Sequence, residues 1–152
     1  MIIGDKDNFA IKIHKIDHTY GKIAFFINGF ELGYYNEEVN ILTVMHQLLK
    51  TVDYRDLNLF EKYNENLTEI FNFLLNSDDE KYDPTILSFG PSFDDFYVRG
   101  LTHKDEIFII WKLSETPFFE YEFESNEIRS GKIKMDTIKT LCQEVFEEMA
   151  LK

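Results

Sequence analysis

Residues 94–125 read DDFYVRGLTHKDEIFIIWKLSETPFFEYEFES, and this stretch carries the pattern from which the fold can be built. Ile107, Ile109, Trp111 and Leu113 alternate with Phe108, Ile110 and Lys112. A β-strand points successive side chains to opposite faces, so this segment buries one whole face and part of the other, as a central strand does. Phe96, Tyr97 and Val98 precede it across the polar break Thr102-His103-Lys104-Asp105. Phe119, Tyr121 and Phe123 follow it across a break containing Pro117. Three strands in a meander are the simplest arrangement.

The third of these runs raises a charge problem. Phe119, Tyr121 and Phe123 face one way, and Glu120, Glu122 and Glu124 face the other. Three carboxylates in a row repel unless something neutralises them. With residues 126–128 as a loop, Glu122 falls opposite Lys132 and Glu120 opposite Lys134, while Tyr121 meets Ile133 and Phe119 meets Met135. Opposite charges directly across a strand pair contribute roughly 0.2–1 kcal/mol each. A last helix, capped by Asp136, then buries Ile138, Leu141, Cys142, Val145, Phe146 and Met149.

Toward the N-terminus, Met1-Ile2-Ile3-Gly4-Asp5 runs into a strand in which Phe9, Ile11 and Ile13 alternate with Ala10, Lys12 and His14. Residues 17–21 are turn-rich, and Ile23, Phe25 and Ile27 line one face of the next strand. Asn28-Gly29 follows. Both residues accept positive φ, so this dipeptide between apolar alternations predicts a type I′ hairpin. Folding there sets Ile27 opposite Phe30, Phe25 opposite Leu32 and Ile23 opposite Tyr34.

Asn36 or Asn40 can cap the following helix, with Glu37 and Glu38 near its positive end. Ile41, Val44, Met45, Leu48, Leu49 and Val52 recur along it at helical spacing. Phe60, Tyr63, Leu67, Ile70, Phe71 and Leu74 predict a second helix over residues 57–76, its start weakened by Asn58, Asn64 and Asn66. Residues 76–83 form an acidic loop, Pro84 stops the helix from resuming, and residues 86–89 form a short strand before Gly90-Pro91. The fold predicted is α+β: a single domain over residues 1–152, in the order β-β-β-α-α-β-β-β(-β)-α. Its largely antiparallel sheet has about six or seven strands and packs against about two to three helices.

Composition narrows the function classes. A chain of 152 residues buries a core without metal or disulfide help. With no apolar run of ~20 residues and no basic-then-apolar leader, an unprocessed, soluble chain is expected. Cys142 is the only cysteine, which excludes an intramolecular disulfide and fits a cytoplasmic location. The net charge of −12 argues against nucleic acid or an anionic membrane as partner, and solubility alone would also account for it.

Candidate chemistry is sparse. His14 and His18 are four apart, but one lies on a strand and the other in a turn, so the spacing does not make a metal site. His46 falls near the apolar stripe of the first helix, and His103 falls in a turn beside Asp105 and Glu106. Cys142 could be a nucleophile only in a thiolate-stabilising environment, but it lies on the buried stripe of the last helix, far from that helix's N-terminus, and reads as core. Ser88-Phe89-Gly90-Pro91-Ser92 lacks the G-x-S-x-G elbow, and the adjacent Asp94 and Asp95 point to opposite faces. No catalytic, cofactor-binding or metal-binding residue is therefore expected, and the chain reads as a non-enzyme. What remains is charge. Asp53, Asp56, Glu61, Glu65, Glu69, Asp78, Asp79 and Glu80 face only Arg55 and Lys62, with Tyr54 and Tyr82 available as aromatic anchors. This segment reads either as a solvated helix face or as a patch that docks a basic protein.

Met1-Ile2-Ile3-Gly4-Asp5, Phe9-Ala10-Ile11 and Phe26-Ile27-Asn28-Gly29, with Gly33 beyond, resemble the opening of the immunity 42 family. The resemblance covers about the first quarter of the chain and the order of elements, and it carries over no functional residue. It implies a bacterial immunity protein that neutralises a cognate toxin by stoichiometric binding, the toxin presenting a basic surface. An acidic regulatory or scaffold module, or more remotely a small-molecule hydrolase, are the alternatives.

Overall fold

The computed structural model describes residues 1–51, 58–123 and 125–151. Its strands are β1 (Ile2–Asp5), β2 (Phe9–Lys15), β3 (Tyr20–Ile27), β4 (Phe30–Leu32), β5 (Glu38–Asn40), β6 (Phe96–His103), β7 (Glu106–Leu113) and β8 (Arg129–Lys134). The helices are α1 (Ile41–Lys50), α2 (Leu59–Lys62), α3 (Leu67–Asn76) and α4 (Met135–Ala150). The α+β class and the antiparallel pairing match the expectation. The strands, however, divide between two sheets. One runs β1-β2-β3-β4, with β5 also on β3, and the other runs β6-β7-β8.

The first hairpin forms where the turn chemistry places it. Asn28 and Gly29 have φ of 53° and 83°, and Phe25 pairs with Leu32 and Ile27 with Phe30. The expected Ile23–Tyr34 pair does not form, because β4 ends at Leu32. Gly33, at φ +112°, turns the chain away against the Phe93 ring, which a Cβ at that position would meet at 2.8 Å. β5 takes the place beside β3, pairing Lys22 with Glu38 and Gly21 with Val39.

β7 is the central strand of its sheet, as its two apolar faces require. The third strand of that sheet is not residues 119–123, which correct the expected meander by forming no ladder. The pairs Glu122–Lys132, Glu120–Lys134, Tyr121–Ile133 and Phe119–Met135 are absent. β8 lies on β7 instead, with Ile133 opposite Ile107, Lys132 opposite Phe108 and Lys134 opposite Glu106. Lys132 Nζ approaches Glu106 to 3.8 Å. The reason is local. Pro117 has no amide hydrogen, and the next two amides donate to the Asp95 carboxylate rather than to a strand. The facing alternation survives without the ladder: Phe119, Tyr121 and Phe123 are half-buried, while Glu120 and Glu122 are exposed.

Asn40, not Asn36, caps α1, its Oδ1 accepting from Thr43 N at 3.0 Å. The single helix expected over residues 57–76 is broken. Asn64 and Glu65 have φ of 51° and 62° and end α2, and Asn66 restarts the chain as the cap of α3, accepting from Glu69 N at 3.0 Å. Val52, placed on the first helical stripe, and Leu57, the expected start of the second helix, lie outside the described residues. Within the acidic loop, Glu80–Thr85 form a 3-10 turn capped by Asp79, which contains Pro84. Residues 86–89 contribute one bridge, Ile86 to Arg99, rather than a strand. Helix α4 starts at Met135, so Asp136 lies in its first turn and is not the cap.

Side-chain parity sets the layers. Phe9, Ile11, Ile13, Ile23, Phe25 and Ile27 from the larger sheet, and Ile107, Ile109 and Trp111 from the smaller, share one core with α1 and α4. The opposite parity of β7, with Phe108 and Ile110, joins Phe60, Ile70, Phe71 and Leu74 in a second cluster under α2 and α3. Where β8 meets β3 the approach is close: a Cβ on Gly131 would lie 2.2 Å from Ile27 Cγ2.

Candidate interaction surface

The acid-rich segment predicted as a docking patch is partly described. Asp53, Tyr54 and Asp56 lie outside the described residues. Glu61, Glu65, Glu69, Asp78, Asp79 and Glu80 are all exposed. The structure brings their elements together through three rings. Tyr63, after α2, meets Phe73 of α3 at 5.5 Å, and Phe73 meets Tyr82 edge-on at 5.1 Å. Lys62 Nζ sits 4.8 Å from the Phe73 ring, and Lys81 Nζ sits 5.0 Å from Tyr82. Tyr82 is thus half-buried and already packed, a fold contact as much as a free anchor. Asp79 lies 3.9 Å from Lys81, an exposed pair of little energetic consequence.

A second surface escaped the sequence reading. Residues 118–123 run beside the β4 edge of the five-stranded sheet, and Asp95 holds them there. Its buried carboxylate accepts from Phe118 N (2.7 Å), Phe119 N (3.0 Å) and Tyr121 Oη (2.9 Å). Burial is the largest influence on Asp95 and raises its pKa, but the three donors together outweigh it and hold the carboxyl below the usual range. Tyr121 responds oppositely: burial first, then its hydrogen bond to Asp95 and the Asp95 charge, push its hydroxyl far up. Asp94 beside it is exposed, so the two carboxylates share no site.

This fixed segment completes an aromatic groove. Tyr34, whose amide donates to Ser92 O, stacks on Phe119 with ring centres 3.9 Å apart and planes 6° from parallel. Tyr121 stands edge-on to both Tyr34 and Phe96. Tyr34 and Tyr121, together with Phe30, Tyr35 and Phe123, line a groove of about 600 Å³ that Glu31, Glu120 and Glu122 also border. Phe118, edge-on to Phe119, is 85% exposed. Two signals could have revealed this surface: the Pro117-Phe118-Phe119 break, and a lone buried-position carboxylate in Asp95 facing three donors. Both required knowing which loop meets which strand.

The remaining candidates are spread over β2, the turn after it, α1, the end of β6 and α4. His14 is exposed on β2, and His18 sits in a turn donating Nδ1–H to Met149 O at 3.0 Å. His46 is exposed beside the Phe146 ring, and His103 stacks on Phe60 at 4.7 Å rather than standing in open solvent. Cys142 is fully buried, and burial pushes its thiol up to about 12, so it is not a thiolate at neutral pH. Among the described residues, no group of three or more His, Cys, Asp or Glu side chains converges as a metal site.

No curated relative matches the chain. Among solved structures, the fold is similar to the crystal structure of CdiI from Burkholderia dolosa AUO158, with a TM-score of 0.60. The match covers 97% of this chain and 99% of that one at 14% identity, a likeness of fold. No helix among the described residues is long and apolar enough to cross a membrane. The sequence profile of Immunity protein 42 matches residues 1–148, so the chain belongs to that family and is an immunity protein, a toxin inhibitor that binds its cognate toxin rather than an enzyme.

Proposed function

We propose that this chain, acting as one unit over residues 1–152, neutralises a cytoplasmically active toxin by direct one-to-one binding. The toxin presents a basic surface, and neither nucleic acid nor membrane is a partner. The observation that supports this reading is the net charge of −12 together with the exposed carboxylates of α2, α3 and the following turn. Such charge accelerates encounter with a cationic partner and repels polyanions. Asp53, Asp56, Glu61, Glu65, Glu69, Asp78, Asp79 and Glu80 are assigned to this long-range attraction, with Tyr54 and Tyr82 beside them.

Co-expression with the toxin domain encoded beside this gene should restore growth, and the two should co-purify. Asp79 caps the 3-10 turn, so its charge is best removed as Asp79→Asn, combined with Asp78→Lys and Glu80→Lys. This triple variant should associate more slowly and with a flatter salt dependence, because attraction between solvated charges is screened beyond roughly 8–10 Å at physiological ionic strength. Association at the wild-type rate would reduce the acidic segment to a solubility feature. A neighbouring product that never binds would refute the immunity mechanism itself.

A further inference from the structure

The acid-rich helices and the aromatic groove leave the molecule by different faces. Helices α2 and α3 cover the Phe108/Ile110 side of the smaller sheet, whereas the groove follows the β4 edge and the Lys12/Phe26/Glu31 side of the larger one. One compact partner site is poorly shaped to hold both. The two faces also differ in kind. On α2 and α3 the exposed groups are carboxylates on a helix surface, whereas the groove combines carboxylates with rings that are already immobilised.

The groove displays its own selectivity. At one end Lys12 Nζ lies 4.0 Å from the Tyr35 ring centre and 4.0 Å from Glu31. At the other, the Arg129 guanidinium lies 3.9 Å from Phe30 and 5.3 Å from Phe123, tethered to Glu127 at 2.6 Å. Each end therefore holds a cation of the chain itself between a ring and a carboxylate. The middle, where Tyr34 and Tyr121 meet Glu120 and Glu122, has the same ingredients. There, no cation of the described residues pairs with either glutamate.

Resting on the immunity reading, we infer that this groove is the anchoring face of the complex and that its occupant is an arginine-bearing surface segment of the cognate toxin. A guanidinium stacks on tyrosine faces while its planar fork engages carboxylates, which neither a bare lysine nor an apolar side chain does equally. Phe118, next in the chain to the ring that stacks on Tyr34, is an exposed ring whose backbone amide is already held by Asp95, so less backbone freedom is lost if it joins the contact. Buried aromatic and arginine contacts dominate binding energy where water is excluded, and they act on dissociation. The acid-rich helices contribute attraction at a distance.

The test uses the full chain and the neighbouring toxin domain, with association and dissociation rates measured for Glu120→Gln/Glu122→Gln, Phe118→Ser and, as a control, Glu61→Lys/Glu69→Lys. Glu120, Glu122 and Phe118 are exposed, so thermal melts and circular dichroism should match the wild type. The two groove variants should each weaken affinity by about thirtyfold or more, mainly through faster dissociation. The helix control should alter association alone. Prior modification of the toxin's arginines with phenylglyoxal should abolish the difference between wild type and the glutamine pair. Wild-type dissociation from both groove variants, with toxin binding intact, overturns the groove while leaving the immunity function standing. Concentration-dependent dimerisation of the free chain that the same variants abolish overturns it in favour of a second copy as occupant. Failure of the wild type to bind any neighbouring toxin overturns both readings together.

Discussion

Replacing Asp95 tests the link between fold and groove. The residue is 9% exposed, and its carboxylate receives two amides and one phenol at 2.7–3.0 Å. A hydrogen bond to a charged group contributes about 1.5–3 kcal/mol, but three on one carboxylate do not add fully. The released amides also regain water, since Phe118 is a surface residue, while the Tyr121 hydroxyl is only half-buried. Asp95→Asn keeps one acceptor oxygen and should cost about 1–2 kcal/mol, whereas Asp95→Ala should cost about 2–4 kcal/mol. At this chain length each kcal/mol lowers Tm by about 2–4 °C. The pH dependence follows from the depressed carboxyl. Such a group stabilises the fold in full above its unfolded pKa, near 3.9, and loses that contribution as pH falls through the lower folded value. The gap between wild type and Asp95→Asn should therefore be constant from pH 7 to about 5 and close below about pH 4. Urea unfolding, followed by the fluorescence of Trp111, the only tryptophan, measures it at each pH. A gap below about 0.5 kcal/mol at pH 7, or one unchanged at pH 3, would show that Asp95 does not hold residues 118–121 in solution.

Gly131→Ala should destabilise by about 1–3 kcal/mol, because its Cβ would enter Ile27 where the two sheets touch; an unchanged urea midpoint would contradict that approach. A double-mutant cycle on Glu106 and Lys132 should return a coupling of about 0.2–1 kcal/mol, and the same cycle on Glu122 and Lys132 should return none. Cys142→Ala should retain full toxin protection with a packing loss of about 1–2 kcal/mol, and the native thiol should react with a disulfide reagent only as fast as the chain opens.

The elements legible in the sequence are those whose information is local. Asn28-Gly29 specifies its turn through the φ values two adjacent residues tolerate, and the flanking apolar residues then leave one register that buries Phe25 against Leu32. The β7 pattern is equally self-contained, since two apolar parities on one strand demand a neighbour on each face. The break between α2 and α3 was half legible. Asn64 and Asn66 weaken a helix, but only the positive φ of Asn64 and Glu65 ends it, and the stripe from Phe60 to Leu74 looks continuous because both helices bury toward the same cluster.

What the sequence concealed is a competition for backbone donors. Residues 119–123 alternate apolar and acidic as an edge strand would, and Lys132 and Lys134 stand at a spacing that completes the charge pairing. That logic treats cross-strand pairing as the only way to satisfy the segment. Asp95, at the start of β6 and more than twenty residues away, satisfies it differently, taking two amides and a hydroxyl at once. The lysines are then free for β7, where Lys132 meets Glu106. The consequence bears on function more than on fold. In the expected hairpin Glu120 and Glu122 would have been neutralised and Phe119 covered by Met135. Held by Asp95 instead, the segment leaves both carboxylates without a cation among the described residues and stacks Phe119 on Tyr34, which lines the groove. The same substitution of one bonding scheme for another that defeated the predicted register thus leaves open the acidic, aromatic surface on which the proposed anchoring contact rests.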